Sequence, residues 1–485
     1  MNFAQLKQPD LIKQACYVNG QWLTTESRLD VFNPANGEQL GHIPCLNPPQ
    51  VEQAIHSAQQ AFNNNQESDW PQRCQQLLRW HQLIMEHKSD LAFIICLEQG
   101  KPLNEALAEI EYAASFVRWF ADFRQFDHGE TLASPLPNKQ FQTQHAPLGV
   151  VAMITPWNFP AAMVLRKAAA ALAAGCTLVI KASELTPFTA NALVELAHQA
   201  GFPAGVINIV SGDAAQIGLQ FCQHGAIKKL SFTGSTRVGK ILMTQSAPQL
   251  QRLSLELGGN APFIVFEDAD LDAAVAGLIA SKLRNNGQTC VASNRIYIAK
   301  AVASAFNEKL LARLSALSSG YGWQAGVDCG PLINQHAKTK LQQWIKESEA
   351  LGAERVFEQV NIASAANFFP ITVLNKVTDE MPVAQHELFG PVIALQTFTD
   401  ETEAIQRANQ TGAGLAAYCY SLNIHRCQRL SQQLQYAMIG INEGIISAAV
   451  SPFGGINESG FGREGSHLGL AEYQYVKSIC YGLGN

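Results

Sequence analysis

The sequence predicts an α/β fold in which helices cover both faces of mainly parallel sheets. Short apolar runs rich in β-branched residues alternate with longer segments of helical periodicity along most of the chain. These runs are continuous rather than alternating in polarity, as is typical of strands buried on both faces. Hydrophobic residues make up 47% of the 485 residues and charged residues 15%, so the chain can bury a substantial core.

The first α/β unit precedes residue 258. Helical patterns at 51–62 and 73–98 come before the regular alternation. The alternation then predicts a strand at 148–154, a helix at 162–174, a strand at 177–181, a helix at 188–200, a strand at 206–210, a helix at 213–223 and a strand at 228–234. Repeated strand–helix–strand units of this kind form a parallel sheet.

A second α/β unit follows residue 257. It has predicted strands at 261–266, 295–299 and 391–398, with helices at 271–284 and 301–316. The polar, turn-rich segment 126–147 interrupts the first unit and is interpreted as a hairpin. Residues 472–482 alternate in the manner of a strand, and a terminal strand of this kind often pairs with a partner subunit.

Composition and charge exclude several classes of function. The net charge of −6 and the pI near 6.1 argue against a broad basic face for nucleic acid. No apolar run reaches the roughly 20 residues that cross a membrane, and the N-terminus does not resemble a signal peptide. The 11 cysteines are scattered without CxxC pairs, so we expect a reducing, cytoplasmic setting and neither a disulfide framework nor a metal site.

Two glycine- or proline-bounded turns are candidate binding elements. In LSFTGSTRVGK, Gly234 and Ser235 begin a predicted helix whose free N–H groups suit a phosphate, although ordinary helix capping explains them equally well. In PWNFP, Asn158 follows a buried strand and its amide suits an oxyanion, with a packed turn as the alternative.

Four further segments carry reactive side chains. In KASE, Lys181 and Glu184 end a strand and suit ribose hydroxyls, or form a solvated pair. Glu256 lies in apolar LELGGN, as a general base or a structural carboxylate. Cys290, in a polar turn, is a nucleophile candidate or a structural thiol. Glu387 in HELFGP is, taken alone, a loop or capping carboxylate.

The order of these motifs, closing with PFGG and SGFGRE at 452–464, resembles the aldehyde dehydrogenase superfamily over the whole chain. Segments 108–123 and 440–447 are similar to its succinate-semialdehyde dehydrogenase branch. The resemblance implies a Rossmann-like cofactor domain, an α/β catalytic domain and a β bridging element in a homodimer or homotetramer. These would comprise residues 1–125 with 146–257, residues 258–468, and residues 126–145 with 469–485, respectively.

The resemblance also implies site roles. Cys290 would be the nucleophile, Glu256 the general base, and Asn158 with the Cys290 backbone N–H the oxyanion hole. The cofactor would be held by Lys181 and Glu184 at the adenosine ribose, Ser235 and Trp157 at the pyrophosphate, Glu387 and Phe389 at the nicotinamide ribose and ring, and by Gly234 and Leu257.

The branch holds its substrate's distal carboxylate with residues that match Arg166, Arg284 and Ser447; an internal ion pair is the alternative for either arginine. The expected reaction is oxidation of succinate semialdehyde to succinate. Glutarate semialdehyde, one methylene longer, and a non-catalytic protein that retains the fold stay open. Glu184 predicts NAD over NADP, since a carboxylate repels a 2′-phosphate, whereas nearby Lys181 would tolerate one.

Overall fold

The computed structural model describes residues 3–64, 70–123, 129–360, 362–363 and 367–484. It confirms the α/β fold, with helices packed around mixed sheets. The α-helices within these ranges are Pro48–Asn64, Trp70–Glu86, Lys88–Glu98, Leu103–Phe123, Pro160–Ala174, Pro187–Gln199, Ala214–Gln223, Thr236–Ser246, Leu271–Leu283, Ala303–Leu314, Gln335–Ala350, Pro382–Gln385, Glu401–Asn409, Ile424–Gln433 and Ser466–Ala471.

The largest sheet of the described chain has eight strands and is parallel at its centre. Antiparallel strands from distant parts of the sequence complete both of its edges. In spatial order the strands are Gly460–Phe461, Arg252–Glu256, Ile227–Thr233, Val150–Ile154, Thr177–Lys181, Ile207–Val210, Cys16–Val18 and Gln21–Leu23.

A second sheet, of seven described strands, is parallel except at one edge, where Glu354–Glu358 runs antiparallel to its neighbour. Its central strands are buried along their whole length, which explains their continuous apolar sequences. In spatial order the strands are Glu354–Glu358, Thr372–Asn375, Val392–Phe398, Ser293–Ala299, Ala261–Val265, Ala416–Tyr420 and Met438–Ile441.

Two smaller antiparallel sheets complete the described strands. The pair Arg28–Phe32 and Gln39–Pro44 forms a ribbon near the N-terminus. The C-terminal strand Gln474–Gly482 pairs along its length with Lys139–Pro147, which also pairs with Thr131–Leu132. The expected hairpin and terminal strand thus share one sheet, although residues 124–128 lie outside the described part of the chain. The limits of the three domains stay a prediction.

Local sequence explains where most helices end. Gly175 adopts a φ of 97°, which only glycine reaches without strain, and it ends the helix Pro160–Ala174. The single helix predicted over 73–98 is wrong: the structure has two helices separated at His87. The backbone of His87 has a ψ of 14°, outside the helical range, and no glycine or proline marks this break in the sequence.

The site is positioned by the carboxyl edge of the largest sheet. Four of its parallel strands end at or just before a candidate site residue: Ile154 precedes the PWNFP turn, and the others lead to Lys181, Gly234 and Glu256. Ligands bind at this edge in open α/β sheets. In the part of the chain that the structure describes, no helix combines the length and apolar character needed to cross a membrane.

Candidate active site

Two neighbouring cavities contain most of the candidate residues. The first, the Cys290 cavity, has a volume of 290 Å³. The second, the Arg284 cavity, has a volume of 450 Å³ and also contains Ser447 in its wall. Consecutive residues separate them, since Asn158 lines the first and Phe159 the second. The candidate residues around the Cys290 cavity are Trp157, Asn158, Gly234, Ser235, Glu256, Leu257, Cys290, Glu387 and Phe389.

A tight turn joins Arg284 to Cys290. Asn285 and Asn286 have φ values of 52° and 54°, in the left-handed region that asparagine tolerates best after glycine. The backbone N–H of Asn285 donates to the Glu105 carboxylate at 2.8 Å, and Asn286 Nδ2 donates to a backbone carbonyl at 2.9 Å. These bonds fix the turn and therefore the position of Cys290.

Burial raises the pKa of the Cys290 thiol to about 12, although the positive charge of Arg166 opposes this shift. The charges of Glu387 and Glu256 raise it further. The thiol is therefore protonated at neutral pH in the protein alone. A thiolate nucleophile here needs a base to accept its proton.

Asn158 is oriented by its neighbours. Its Nδ2 donates to the backbone carbonyl of Gln288 at 3.1 Å, which leaves the second Nδ2 hydrogen for a ligand. Its own backbone carbonyl accepts from Lys101 Nζ at 2.8 Å and from Asn285 Nδ2 at 2.9 Å. Lys101 is fully buried and ion-paired with Glu109 at 2.6 Å. The amide is thus held in place before any substrate enters.

Glu256 ends the strand Arg252–Glu256 and is 2% exposed. Neither of its carboxylate oxygens has a hydrogen-bond partner among the described residues. Burial raises its pKa well above the usual value, and the negative charge of Glu464 raises it further. A carboxylate with a raised pKa and free oxygens is a suitable general base near neutral pH.

Arg166 forms an internal ion pair, and its role at a substrate carboxylate stays a prediction. It is 2% exposed and ion-paired with Glu464, which also pairs with Lys167. Its guanidinium carbon lies 4.0 Å from the centre of the Phe453 ring. The structure therefore shows the internal ion pair that was the alternative for this arginine, and Arg166 acts on Cys290 through its charge.

Arg284 lies in the wall of the second cavity, to which its guanidinium contributes a positive charge. Within the described ranges it has no ion pair or side-chain hydrogen bond, and it lies 4.8 Å from the Phe159 ring centre. Glu105 and Asp328 also line this cavity, but both accept backbone hydrogen bonds, and burial raises the pKa of Glu105. A free guanidinium beside a hydroxyl, that of Ser447, suits a carboxylate.

The other side of the Cys290 cavity carries groups of the kind that bind phosphate and ribose. Ser235, which caps the helix Thr236–Ser246, lies in the cavity wall, so the N-terminus of that helix adjoins the cavity. A Cβ on Gly258 would lie 2.7 Å from Glu387 Oε2, so glycine allows that carboxylate into the cavity. Glu387 Oε1 accepts from Gly259 N at 3.0 Å, and Oε2 accepts from no described group, which leaves it open to a ribose hydroxyl.

Lys181 and Glu184 lie outside both cavity walls. Their side chains form an ion pair of 2.5 Å, and that of Glu184 is 45% exposed. Burial raises the pKa of Glu184, but the charge of Lys181, the hydrogen bond from Lys181 and a backbone hydrogen bond together lower it more, so the net pKa is below the usual value. At neutral pH Glu184 is therefore an ionised, accessible carboxylate.

Several residues that shape the site were missed by the sequence reasoning. Lys101, Glu109, Lys167 and Glu464 are buried charges that hold or polarise the candidate residues. The signal for Lys167 was present, because a charge within an otherwise apolar, alanine-rich helix needs a partner. Lys340 also lines the Cys290 cavity, but it belongs to a polar surface helix and carries no such signal.

Comparison with known proteins gives consistent results across the chain. A family model described as the aldehyde dehydrogenase family matches residues 22–479. A glutarate-semialdehyde dehydrogenase of Pseudomonas putida is 46% identical, covering 98% of this chain and 99% of that protein. A succinate-semialdehyde dehydrogenase [NADP(+)] of Escherichia coli is 46% identical over 99% and 100% of the two chains. The crystal structure of succinate-semialdehyde dehydrogenase from Burkholderia pseudomallei superimposes with a TM-score of 0.97 at 47% identity, covering 99% and 100%.

Proposed function

The chain belongs to the aldehyde dehydrogenase family, and on this premise we propose that it oxidises succinate semialdehyde to succinate. The single observation that carries this choice is the free guanidinium of Arg284 in the cavity beside Cys290. A substrate with an aldehyde at one end and a carboxylate at the other matches a nucleophile and a cation on either side of the Asn158–Phe159 wall.

Cys290 attacks the aldehyde carbon after losing its proton, and Glu256, on the wall of the same cavity, is the acceptor we propose. The oxygen that becomes negative accepts a hydrogen bond from the free Nδ2 hydrogen of Asn158 and from the backbone N–H of Cys290. One donor of this kind is typically worth about 3–4 kcal/mol of transition-state stabilisation.

NAD(P)+, when bound, supplies the acceptor for the hydride that leaves the aldehyde carbon. Trp157, Gly234, Ser235, Leu257, Glu387 and Phe389 would hold it within the Cys290 cavity. The product of the oxidation is a thioester on Cys290. Glu256 releases the Cys290 proton to solvent and then takes a proton from the water that attacks the thioester carbon. The C–S bond breaks, the acid leaves, and Glu256 returns its proton to the Cys290 thiolate.

Within this pair of cofactors we propose that NAD is preferred. The ionised Glu184 carboxylate accepts hydrogen bonds from a ribose 2′-hydroxyl and repels a 2′-phosphate. Lys181 offsets part of that repulsion, since it is ion-paired with Glu184. The similar Escherichia coli protein is named for NADP(+), so the preference depends on the residues of this chain.

We also propose a homodimer or homotetramer in the cytoplasm. The C-terminal strand Gln474–Gly482 exposes most of its residues, and a second copy would cover them. All 11 cysteines are free thiols, as expected for a reducing compartment.

The test is a kinetic comparison of succinate semialdehyde, glutarate semialdehyde and butanal. In the wild type, kcat/KM should be highest for succinate semialdehyde. Arg284→Met should lower kcat/KM for both semialdehyde acids by about 10- to 150-fold, because a hydrogen bond to a charge is worth about 1.5–3 kcal/mol. Butanal, which has no carboxylate, should change by less than about threefold.

Arg313→Met is the matched control, because Arg313 is exposed on a helix that does not line either cavity. Cys290→Ala should bind cofactor but show no turnover with any substrate. Equal losses on butanal and on the acids would refute the role of Arg284. A higher kcat/KM for glutarate semialdehyde would make that compound the substrate, in line with the Pseudomonas putida relative.

A further inference from the structure

Lys282 is a buried charge that the proposed mechanism does not use. It lies near the end of the helix Leu271–Leu283 and is fully excluded from solvent. No described carboxylate lies within ion-pair distance of its Nζ, which donates a single hydrogen bond, to Asn294 Oδ1 at 3.1 Å. An ammonium with so little compensation is costly to bury, so its presence needs a reason.

A chain of amide side chains connects Lys282 to the turn before Glu387. Asn294 Nδ2 donates to Asn260 Oδ1 at 3.1 Å and to the backbone carbonyl of His386 at 2.9 Å. Asn260 Nδ2 donates to the Ala384 carbonyl at 2.9 Å. Lys282, Asn294 and Asn260 are buried, so the ammonium fixes the direction of the amides, and the amides hold the backbone that leads into Glu387.

Glu387 also responds to the charge of Lys282. Burial raises the pKa of Glu387 to about 7, against the hydrogen bond from Gly259 and the charges of Lys340 and Lys282, which lower it. Burial in turn lowers the pKa of Lys282 to about 7, and Glu387 opposes that shift. The charge of Glu387 also raises the pKa of Cys290. The carboxylate is therefore close to the point at which it would lose its charge.

We infer that Lys282 is a positioning residue for the cofactor: it holds the turn that carries Glu387 through Asn294 and Asn260, and its ammonium keeps the Glu387 carboxylate ionised for the nicotinamide ribose. The inference rests on the proposed function, in which Glu387 binds that ribose. An ionised carboxylate accepts hydrogen bonds from both ribose hydroxyls, whereas a protonated one has lost part of its acceptor capacity.

The test measures the Kd for NADH by fluorescence titration between pH 6 and 9, which needs no turnover. In the wild type, binding should strengthen as Glu387 ionises, with a midpoint near pH 7. Lys282→Met removes the charge and leaves an apolar chain of similar length. Its midpoint should move to higher pH and, because the hydrogen bond to Asn294 is also lost, its Kd should be about 2- to 10-fold weaker at pH 9 as well.

Two further variants distinguish the effect of the Lys282 charge from the effect of the amide chain through Asn294. Lys282→Arg keeps a cation throughout the titration, so its midpoint should not move to higher pH. Asn294→Ala breaks the amide chain, so it should weaken NADH binding at pH 9 about as much as Lys282→Met does. Melting temperatures establish that each variant is folded, and Lys282→Gln replaces the methionine variant if that one is not.

Glu387→Gln distinguishes failure of this inference from failure of the proposed function. It should weaken NADH binding and remove the pH dependence, and adding Lys282→Met to it should change nothing more. If Glu387→Gln leaves binding and its pH profile intact, the ribose role of Glu387 is wrong. If Glu387→Gln behaves as expected but Lys282→Met keeps the wild-type midpoint, the role of Lys282 is wrong.

Discussion

Glu256 has its raised pKa because of burial and because of Glu464, a carboxylate it does not contact through a hydrogen bond. Glu464 stays ionised in the same interior because Arg166 and Lys167 both pair with it, which lowers its pKa despite burial. Charge is thus distributed unequally between two neighbouring acids. Glu464 remains an anion, whereas the pKa of Glu256 is raised well above its usual value.

We propose that Glu184 selects between the two dinucleotides. The wild type should have a higher kcat/KM with NAD than with NADP. Glu184→Gln should reduce the ratio of the two values by about tenfold, mainly by improving NADP, because the repulsion of a 2′-phosphate is removed while Lys181 remains. Steady-state kinetics with both cofactors at saturating aldehyde measures the ratio.

Glu308→Gln removes a carboxylate from an exposed helix position and serves as the control for net charge. It should leave the cofactor ratio unchanged. A wild-type enzyme that prefers NADP would refute the role assigned to Glu184.

The helix Ile424–Gln433 is held at its N-terminus by a network of charges. Asn423 caps the helix, and Arg426 pairs with Asp268, Glu267 and Glu401. Asp268 also accepts hydrogen bonds from the backbone N–H of Asn423. Asp268 therefore connects the end of one strand to the start of the helix.

Removal of this connection should loosen the helix in a pH-dependent manner. Burial raises the pKa of Asp268, but hydrogen bonds from Ser421 and the charge of Arg426 lower it more, so it is below the usual value. A carboxyl with a lowered pKa stabilises the fold above its unfolded pKa, and this contribution is lost as pH falls through the folded pKa. Asp268→Asn should cost about 1–2 kcal/mol at pH 7, which is roughly 5- to 30-fold faster amide exchange in Ile424–Gln433.

Hydrogen exchange by mass spectrometry measures this difference, which should shrink as the pH falls below about 4. Asp272→Asn is the control, since Asp272 is 81% exposed and paired only with Lys309. A pH-independent difference would mean that the charge of Asp268 is not what stabilises the helix.

Most elements were predictable because their signals are local. Gly175 and Asp213 end and begin helices within a residue or two of the expected places. The break at His87 was not predictable, because the apolar periodicity continues through it on both sides. Both helices pack against Leu103–Phe123 and Pro187–Gln199, and no local pattern in the sequence marks where the first helix ends.

In the described part of the chain, the three-stranded sheet of Thr131–Leu132, Lys139–Pro147 and Gln474–Gly482 leaves several apolar side chains exposed. Val476 is 62% exposed, and Leu132, Tyr475 and Tyr481 are also exposed. A small antiparallel sheet with apolar side chains on open faces is only marginally stable by itself. The whole molecule is therefore expected to be completed by another copy.

Sedimentation equilibrium at micromolar concentration should show a dimer or a tetramer. Val476→Lys places a charge on the exposed strand and should raise the dissociation constant by at least about tenfold, since burying an unpaired charge costs more than about 1.4 kcal/mol. Val360→Lys is the matched control, because Val360 is 87% exposed outside this sheet. A wild-type monomer, or an assembly that tolerates Val476→Lys, would contradict the proposed interface.

The order of motifs along the chain predicted which residues meet at the Cys290 cavity, because parallel strands bring their carboxyl ends to one edge. It did not predict the partner of Arg166. The ion pair of neighbouring Lys167 with Glu464 joins residues 297 positions apart, and such pairings follow from the packed interior rather than from spacing. For the same reason, the sequence did not predict the contacts of Lys282 with Asn294 and, through it, with Asn260.

The turn between Arg284 and Cys290 has a mechanical consequence. Both residues belong to one continuous stretch of backbone, fixed by the left-handed Asn285 and Asn286 and by their hydrogen bonds. The distance between the Cys290 thiol and the Arg284 guanidinium is therefore set by this one turn. Opening or closing of the cleft would alter the fit of a dinucleotide, but it would not change the length of the aldehyde acid that spans these two groups.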